Sequence, residues 1–160
     1  MNKTVVGIFE SEHIAKEAIE SLRSAGFERE ISLLAKDQGS DDSDANSMGG
    51  GGTIADGITT GGVLGGIGGL ALGAGALVMP GLGPIIAAGP IAGMLSGVAG
   101  GGVAGGLIDW GIPEEEGRRY EEKIKQDSII VAVSSSESNI DEAEDILKNH
   151  GASEVKVHDR

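Results

Sequence analysis

Apolar positions along this chain form a pattern that occurs twice and another that occurs once. Thr4-Val5-Val6-Gly7-Ile8-Phe9 is short, β-branched and free of charge, and predicts a buried strand. Behind it, Ser11 is placed to cap a helix whose Ile14, Ala15, Ala18, Ile19 and Leu22 share one face, with Gly26 as its left-handed stop. Ile31–Ala35 predicts a second strand. Near the other end the order returns: Ser128–Val133 as a strand, then Ser138 as the cap of a helix carrying Ile140, Ala143, Ile146 and Leu147. Gly151 stops that helix, and Glu154–Val157 is the last strand.

A shift of 125 residues superposes Val5 on Ile130, Ile8 on Val133, Ala18 on Ala143, Leu22 on Leu147 and Gly26 on Gly151. The repeat predicts an α+β fold in which two βαβ halves build one ferredoxin-like domain, with two helices on one side of a four-stranded antiparallel sheet. Neither half is large enough to bury a core alone. Residues 1–36 and 110–160 carry the halves, the second preceded by a charged helix. Residues 37–56 read as an acidic Gly/Ser linker, and residues 57–109 interrupt the domain between its second and third strands.

That interruption holds the pattern that occurs once. From Gly57 to Ile108 there is no charged residue, and Thr59, Thr60 and Ser96 are its only polar side chains. Gly57, Gly61, Gly65, Gly69 and Gly73 recur every fourth position, as do Gly89, Gly93, Gly97, Gly101 and Gly105. Pro80, Gly81, Gly83 and Pro84 mark a turn between the two series. Folding about Gly81 brings 57 to 105, 65 to 97 and 73 to 89. A small residue at every fourth position gives a helix a flat face that another backbone can approach. The stretch therefore predicts an antiparallel helical hairpin closed as a glycine zipper. Pro113–Lys125 follows as a helix with acids in its first turn and i,i+4 pairs Glu114–Arg118, Glu115–Arg119 and Glu121–Lys125, expected to be a largely solvated strut.

Charge narrows the partners. The net charge is −13, an acidic balance that repels phosphate backbones and excludes nucleic acid. With two Phe, one Tyr and one Trp there is no platform for stacking bases. Cysteine is absent, so disulfides and thiolate chemistry are excluded. The apolar run at the N-terminus is too short for a signal peptide and is followed at once by Glu10 and Glu12, so a cytoplasmic location is expected.

Several motifs resemble a known family. Thr4–Phe9, the run Ala76–Pro90, and Gly111-Ile112-Pro113-Glu114-Glu115-Glu116 with Arg119-Tyr120 look like bacterial general stress proteins of the 17M-like type, over nearly the whole chain. The resemblance implies a stress-associated protein without enzymatic activity. It brings no catalytic residues.

Candidate chemistry is thin. Gly100–Gly105 contains G-x-G-x-x-G, but a dinucleotide fingerprint needs a strand before it and a helix opening at it, and this one sits late inside the expected helical repeat, so the zipper reading is preferred. Gly49–Gly52 lacks a following Lys in Walker spacing and has Asp41, Asp42, Asp44 and Asp56 around it, which disfavours phosphate. Asp42–Thr53 starts like an EF-hand loop but has Ser47 at its sixth position and Thr53 at its twelfth. His13, His150 and His158 have no ligand spacing, and Ser134, Ser135 and Ser136 read as a strand-end loop. No nucleophile, base and orienting group stand together, so catalytic, metal and cofactor sites are all expected to be absent. Trp110 reads in two ways, as an interfacial anchor at a membrane or as a plug between hairpin and sheet.

A hairpin apolar on every face must be covered by lipid or by copies of itself. The expected function is a non-enzymatic, stress-associated protein that self-assembles into a homo-oligomer through its glycine zipper and associates with membranes. The lipid bilayer of the inner membrane is the second expected partner, reached peripherally or by hairpin insertion. Two alternatives stay open. One is a soluble homo-oligomer with the hairpins in its interior. The other is a small-ligand-binding regulatory module that the hairpin anchors.

Overall fold

The long charge-free stretch does not form one continuous helical hairpin: its centre is a pair of β-strands at the edge of a sheet. In the computed structural model, residues 2–36, 75–79, 83–91, 102–108 and 110–160 are described. Their elements in chain order are β1 Asn2–Phe9, α1 Glu12–Ser24, β2 Ile31–Lys36, β3 Gly75–Met79, β4 Gly83–Ala88, α2 Gly102–Ile108, α3 Glu114–Lys125, β5 Ile129–Ser136, α4 Glu137–Asn149 and β6 Glu154–Asp159. The fold is α+β, with one six-stranded antiparallel sheet in the order β3-β4-β2-β5-β1-β6.

The two βαβ units interleave. β1 and β2 flank β5 and run parallel to each other, while β5 and β6 flank β1 in the same way. Each half thus inserts a strand into the other, so neither completes its sheet alone. The side chains of β1 alternate between two cores. Val5 and Phe9 meet α1 and α4, in a cluster with Leu22, Ile31, Val131, Ile140 and Leu147. Val6 and Ile8 point to the other face, where Leu34, Ile85, Ile130, Val103, Leu107, Trp110, Tyr120 and Ile124 close a second cluster. The sheet therefore lies between α1 with α4 on one side and α2 with α3 on the other. Full burial of a Leu or Ile contributes about 1.5–3 kcal/mol, so each face holds a substantial part of the stability.

Both paired helices end as their glycines predict, with Gly26 at φ +97° and Gly151 at φ +80°. Ser11 occupies the cap position of α1, although its hydroxyl makes no capping hydrogen bond. α4 starts earlier than expected: its cap is Ser136, not Ser138, because β5 runs on through Ser134 and Ser135 instead of ending in a loop.

The helical-hairpin expectation for residues 57–109 needs correction where the structure describes it. Gly75–Met79 and Gly83–Ala88 are strands, and within the described part only Gly102–Ile108 forms a complete helix. The strands occupy the gap in the glycine series, between Gly73 and Gly89, where the four-residue spacing lapses. β2 is the reason. Its outer edge would otherwise carry unpaired backbone groups, and β4 satisfies them from Leu33↔Ala88 to Lys36↔Ile85. Pro84 falls just beyond that ladder, where its missing N–H leaves no bond to β2 unmade. The mirror centre survives in a different element. β3 and β4 pair as Gly75↔Ala87, Leu77↔Ile85 and Met79↔Gly83, a register centred on Gly81.

The charged helix is also not a solvated strut. Gly117, Tyr120 and Ile124 of α3 are buried against the sheet and α2. A hypothetical Cβ on Gly117 would lie 3.0 Å from Ala104 Cα, so these two backbones meet almost without side chains between them.

Candidate functional site

Of the ten zipper glycines, Gly57, Gly61, Gly65, Gly69, Gly73, Gly93, Gly97 and Gly101 lie outside the described residues, as do Pro80 and Gly81 of the turn. The linker candidates Gly49–Gly52 and Asp42–Thr53 lie outside them too. Gly83 and Pro84 sit in β4. Gly89 follows β4 at φ +84°, and a Cβ there would stand 2.2 Å from Ile31 O. Its described role is a close backbone crossing over β2, reinforced by the Ile91 N–H donating to Ser32 Oγ at 3.3 Å. Gly105 lies in α2, where Ala104, Gly105 and Ile108 form the floor of an open groove whose charged wall includes Glu114, Arg118 and Lys125 of α3. Ile108 is 49 % exposed there. Trp110 is 1 % exposed, inside the second core, with the Arg160 guanidinium 5.7 Å from its ring centroid.

The densest polar constellation among the described residues is one that sequence reasoning missed. β6 alternates Glu154, Lys156 and His158 on the face toward α3, and each meets a partner on that helix. Arg119 Nη2 donates to Glu154 Oε2 at 2.6 Å, which takes Arg119 from its expected partner Glu115. Lys156 Nζ donates to Glu116 Oε1 at 2.6 Å and lies 3.5 Å from Glu154 Oε1. The Tyr120 hydroxyl and His158 Nε2 are 2.9 Å apart, with the two rings edge to face at 6.1 Å. The period of the strand and the turn of the helix set these contacts: 116, 119 and 120 share one face of α3, and 154, 156 and 158 share one face of β6.

Exposure is graded along the seam. Arg119 is open to solvent, Lys156 and Glu116 are half-buried, and Tyr120 and His158 are buried. The Lys156 hydrogen bond holds the Glu116 carboxyl below the usual carboxylate range and the same bond raises Lys156. Burial raises the Tyr120 phenol, aided by the Glu116 and Glu154 carboxylates, and burial lowers His158. A protonated phenol beside a neutral imidazole makes Tyr120 the donor and Nε2 the acceptor. Thr4, opposite His158 in the β1–β6 register, has a buried hydroxyl with no hydrogen-bond partner among the described residues, and Glu116 Oε2 shares that condition.

A phenol raised in this way is a poor nucleophile, and both Tyr120 and the imidazole are buried. Among the described residues no group of three or more His, Cys, Asp and Glu is placed to hold a metal ion. The other histidines stand apart: His13 is exposed beside Glu17 at 3.3 Å, and His150 caps the end of α4. Among the described residues no helix is long and apolar enough to cross a membrane. No family model, no curated protein and no solved structure matches the chain.

Proposed function

We propose that this chain is a non-catalytic, stress-associated protein that self-assembles through its glycine-patterned stretch, on a frame of ferredoxin-like type. The frame reading is supported by the strand order β6-β1-β5-β2 with α1 and α4 on one face, the arrangement of two split βαβ units. The stress association rests on the resemblance of the central and Ile-Pro-Glu-Glu motifs. The observation that carries the assembly reading is the Gly75↔Ala87 pairing. It joins the two strands in a register centred on Gly81, the same position about which the two glycine series mirror each other along the sequence. The series themselves carry no charge, and small residues at fixed spacing favour contact between backbones over contact with solvent.

The test compares particle size for the full chain, Gly65→Leu with Gly97→Leu, and conservative exchanges at Leu64 and Val98. Light scattering at several concentrations should show an oligomer that the double Leu variant disperses or drives into aggregates, while the conservative pair leaves it intact. Helix propensity alone predicts the reverse, because Leu exceeds Gly by up to about 1 kcal/mol. A monomeric wild-type chain, or an oligomer indifferent to the double Leu exchange, defeats the reading. Flotation with and without vesicles, run on the same samples, separates assembly in lipid from assembly in water.

A further inference from the structure

The polar seam between α3 and β6 combines two kinds of tie. Glu154–Arg119 and Glu116–Lys156 each join a carboxylate to a cationic side chain at 2.6 Å. Tyr120–His158 is the third, and histidine is the side chain whose ordinary titration falls between pH 5 and 8. It is also the buried one, at 9 % exposure for His158 and 1 % for Tyr120. We propose that Tyr120 and His158 form an acid-sensitive latch: a proton on His158 unseats α3 from the sheet and opens the apolar face that α2 and α3 cover.

The surroundings give a new imidazolium no dedicated partner among the described residues. From α3 it faces Glu116, Arg119 and Tyr120; Glu116 Oε1 is bonded to Lys156, its Oε2 has no hydrogen-bond partner among the described residues, and neither oxygen lies within ion-pair distance of the imidazole. From β6 itself come Lys156, which opposes the charge, and Asp159, which favours it. β1 contributes the neutral Thr4 opposite it, while Lys3 pairs with Glu137 and Asp159. Arg160 lies over Trp110, and α2 has no charged residue. Burial outweighs the two acids, so His158 is held below its ordinary value of 6.5.

The sign follows from that direction. The imidazole in the open state, in water, binds a proton more tightly than in the closed state. Acid therefore favours opening, beginning as pH falls through 6.5 and ending once the closed form also protonates. Within that window one proton shifts the open-to-closed ratio by up to about tenfold per pH unit. Opening uncovers Val6, Ile8, Ile130 and Ala132 of the sheet and frees Trp110. This latch rests on the fold and not on the assembly reading, and either can fail without the other.

The only tryptophan of the chain reports on it. Trp110 emission and binding of a hydrophobic dye are followed on the full chain from pH 7.5 to pH 5, beside His158→Gln. Gln keeps an acceptor for the Tyr120 hydroxyl and cannot take up the proton. The wild type should show a reversible red shift and a rise in dye signal with a one-proton midpoint below pH 6.5, and His158→Gln should lose that step. A flat wild-type profile overturns the latch, as does an identical step in the variant. Should His158→Gln fail to fold, NMR titration of the wild-type imidazoles decides, with His13→Asn and His150→Asn used to assign the signals. A His158 midpoint at or above 6.5 then overturns it.

Discussion

Tyr120 and His158 sit one on a helix and one on a strand, 38 positions apart, and each supplies what the other's burial requires. A buried phenol needs an acceptor, and a buried neutral imidazole needs a donor. Tyr120→Phe keeps the ring and removes the hydroxyl, leaving Nε2 unsatisfied. That should cost roughly 1–3 kcal/mol. Urea unfolding at pH 7.5 with an unchanged m-value is the check, and a cost near zero would mean that the imidazole finds water at once. Glu116 acts in a different pH window. Its folded value is depressed, so its contribution is complete above 4.5 and fades as pH falls through the depressed value. The acid limb of the stability curve below 4.5 should therefore lose one component in Glu116→Gln, while the step below 6.5 stays. That second limb, followed by the same unfolding experiment across pH, separates the carboxylate from the imidazole.

At the scale of elements, the decisive contact is α2 against α3. Helices normally approach to 8–10 Å because side chains intervene, but Gly117 leaves Ala104 Cα with only 3.0 Å to a would-be Cβ. Gly117→Leu should push α2 outward by overpacking, at a cost of about 1–3 kcal/mol that outweighs the gain in helix propensity. Trp110, which follows α2 directly, should show it as a red-shifted emission at neutral pH. A variant as stable as the wild type, with unshifted emission, would mean that the two helices are not seated on each other. The edge hairpin teaches the complementary point. Ile85 and Ala87 pair with β2 through the backbone and bury under the second helical layer, so β4 is held by the neighbour it completes.

Over the whole molecule, interleaved strands make the two βαβ units interdependent. Leu22 and Leu147, related by the shift of 125 residues, lie in one cluster at 0 % exposure each. Either one replaced by Ala should lower stability by roughly 2–5 kcal/mol. Circular dichroism and Trp110 emission should report the same midpoint, since the emission probe lies on the opposite face of the same sheet. Separate midpoints for the two probes would show that the two faces melt independently.

What the sequence determined by itself is local or repetitive. The runs Thr4–Phe9, Ile31–Ala35 and Ser128–Val133, the helical faces of α1 and α4, and the stops at Gly26 and Gly151 follow from short-range sterics and periodicity, which act the same way in any context. The continuous apolar runs also held a signal that two helices on one side did not use: alternate residues that are all apolar imply cover on both faces. Tertiary structure decided the rest. Gly83–Ala88 became a strand because β2, about 50 positions away, offered an open edge, and Gly75–Met79 paired onto it in turn. α3 went inward although its composition is charged, because Gly117, Tyr120 and Ile124 need only one narrow face while its acids and bases find partners on β6. His158 could not be read as half of a pair, since nothing in its own neighbourhood along the chain names Tyr120. Patterns of period two and period 3.6 are written in the chain. Which two patterns meet is settled only when the sheet closes.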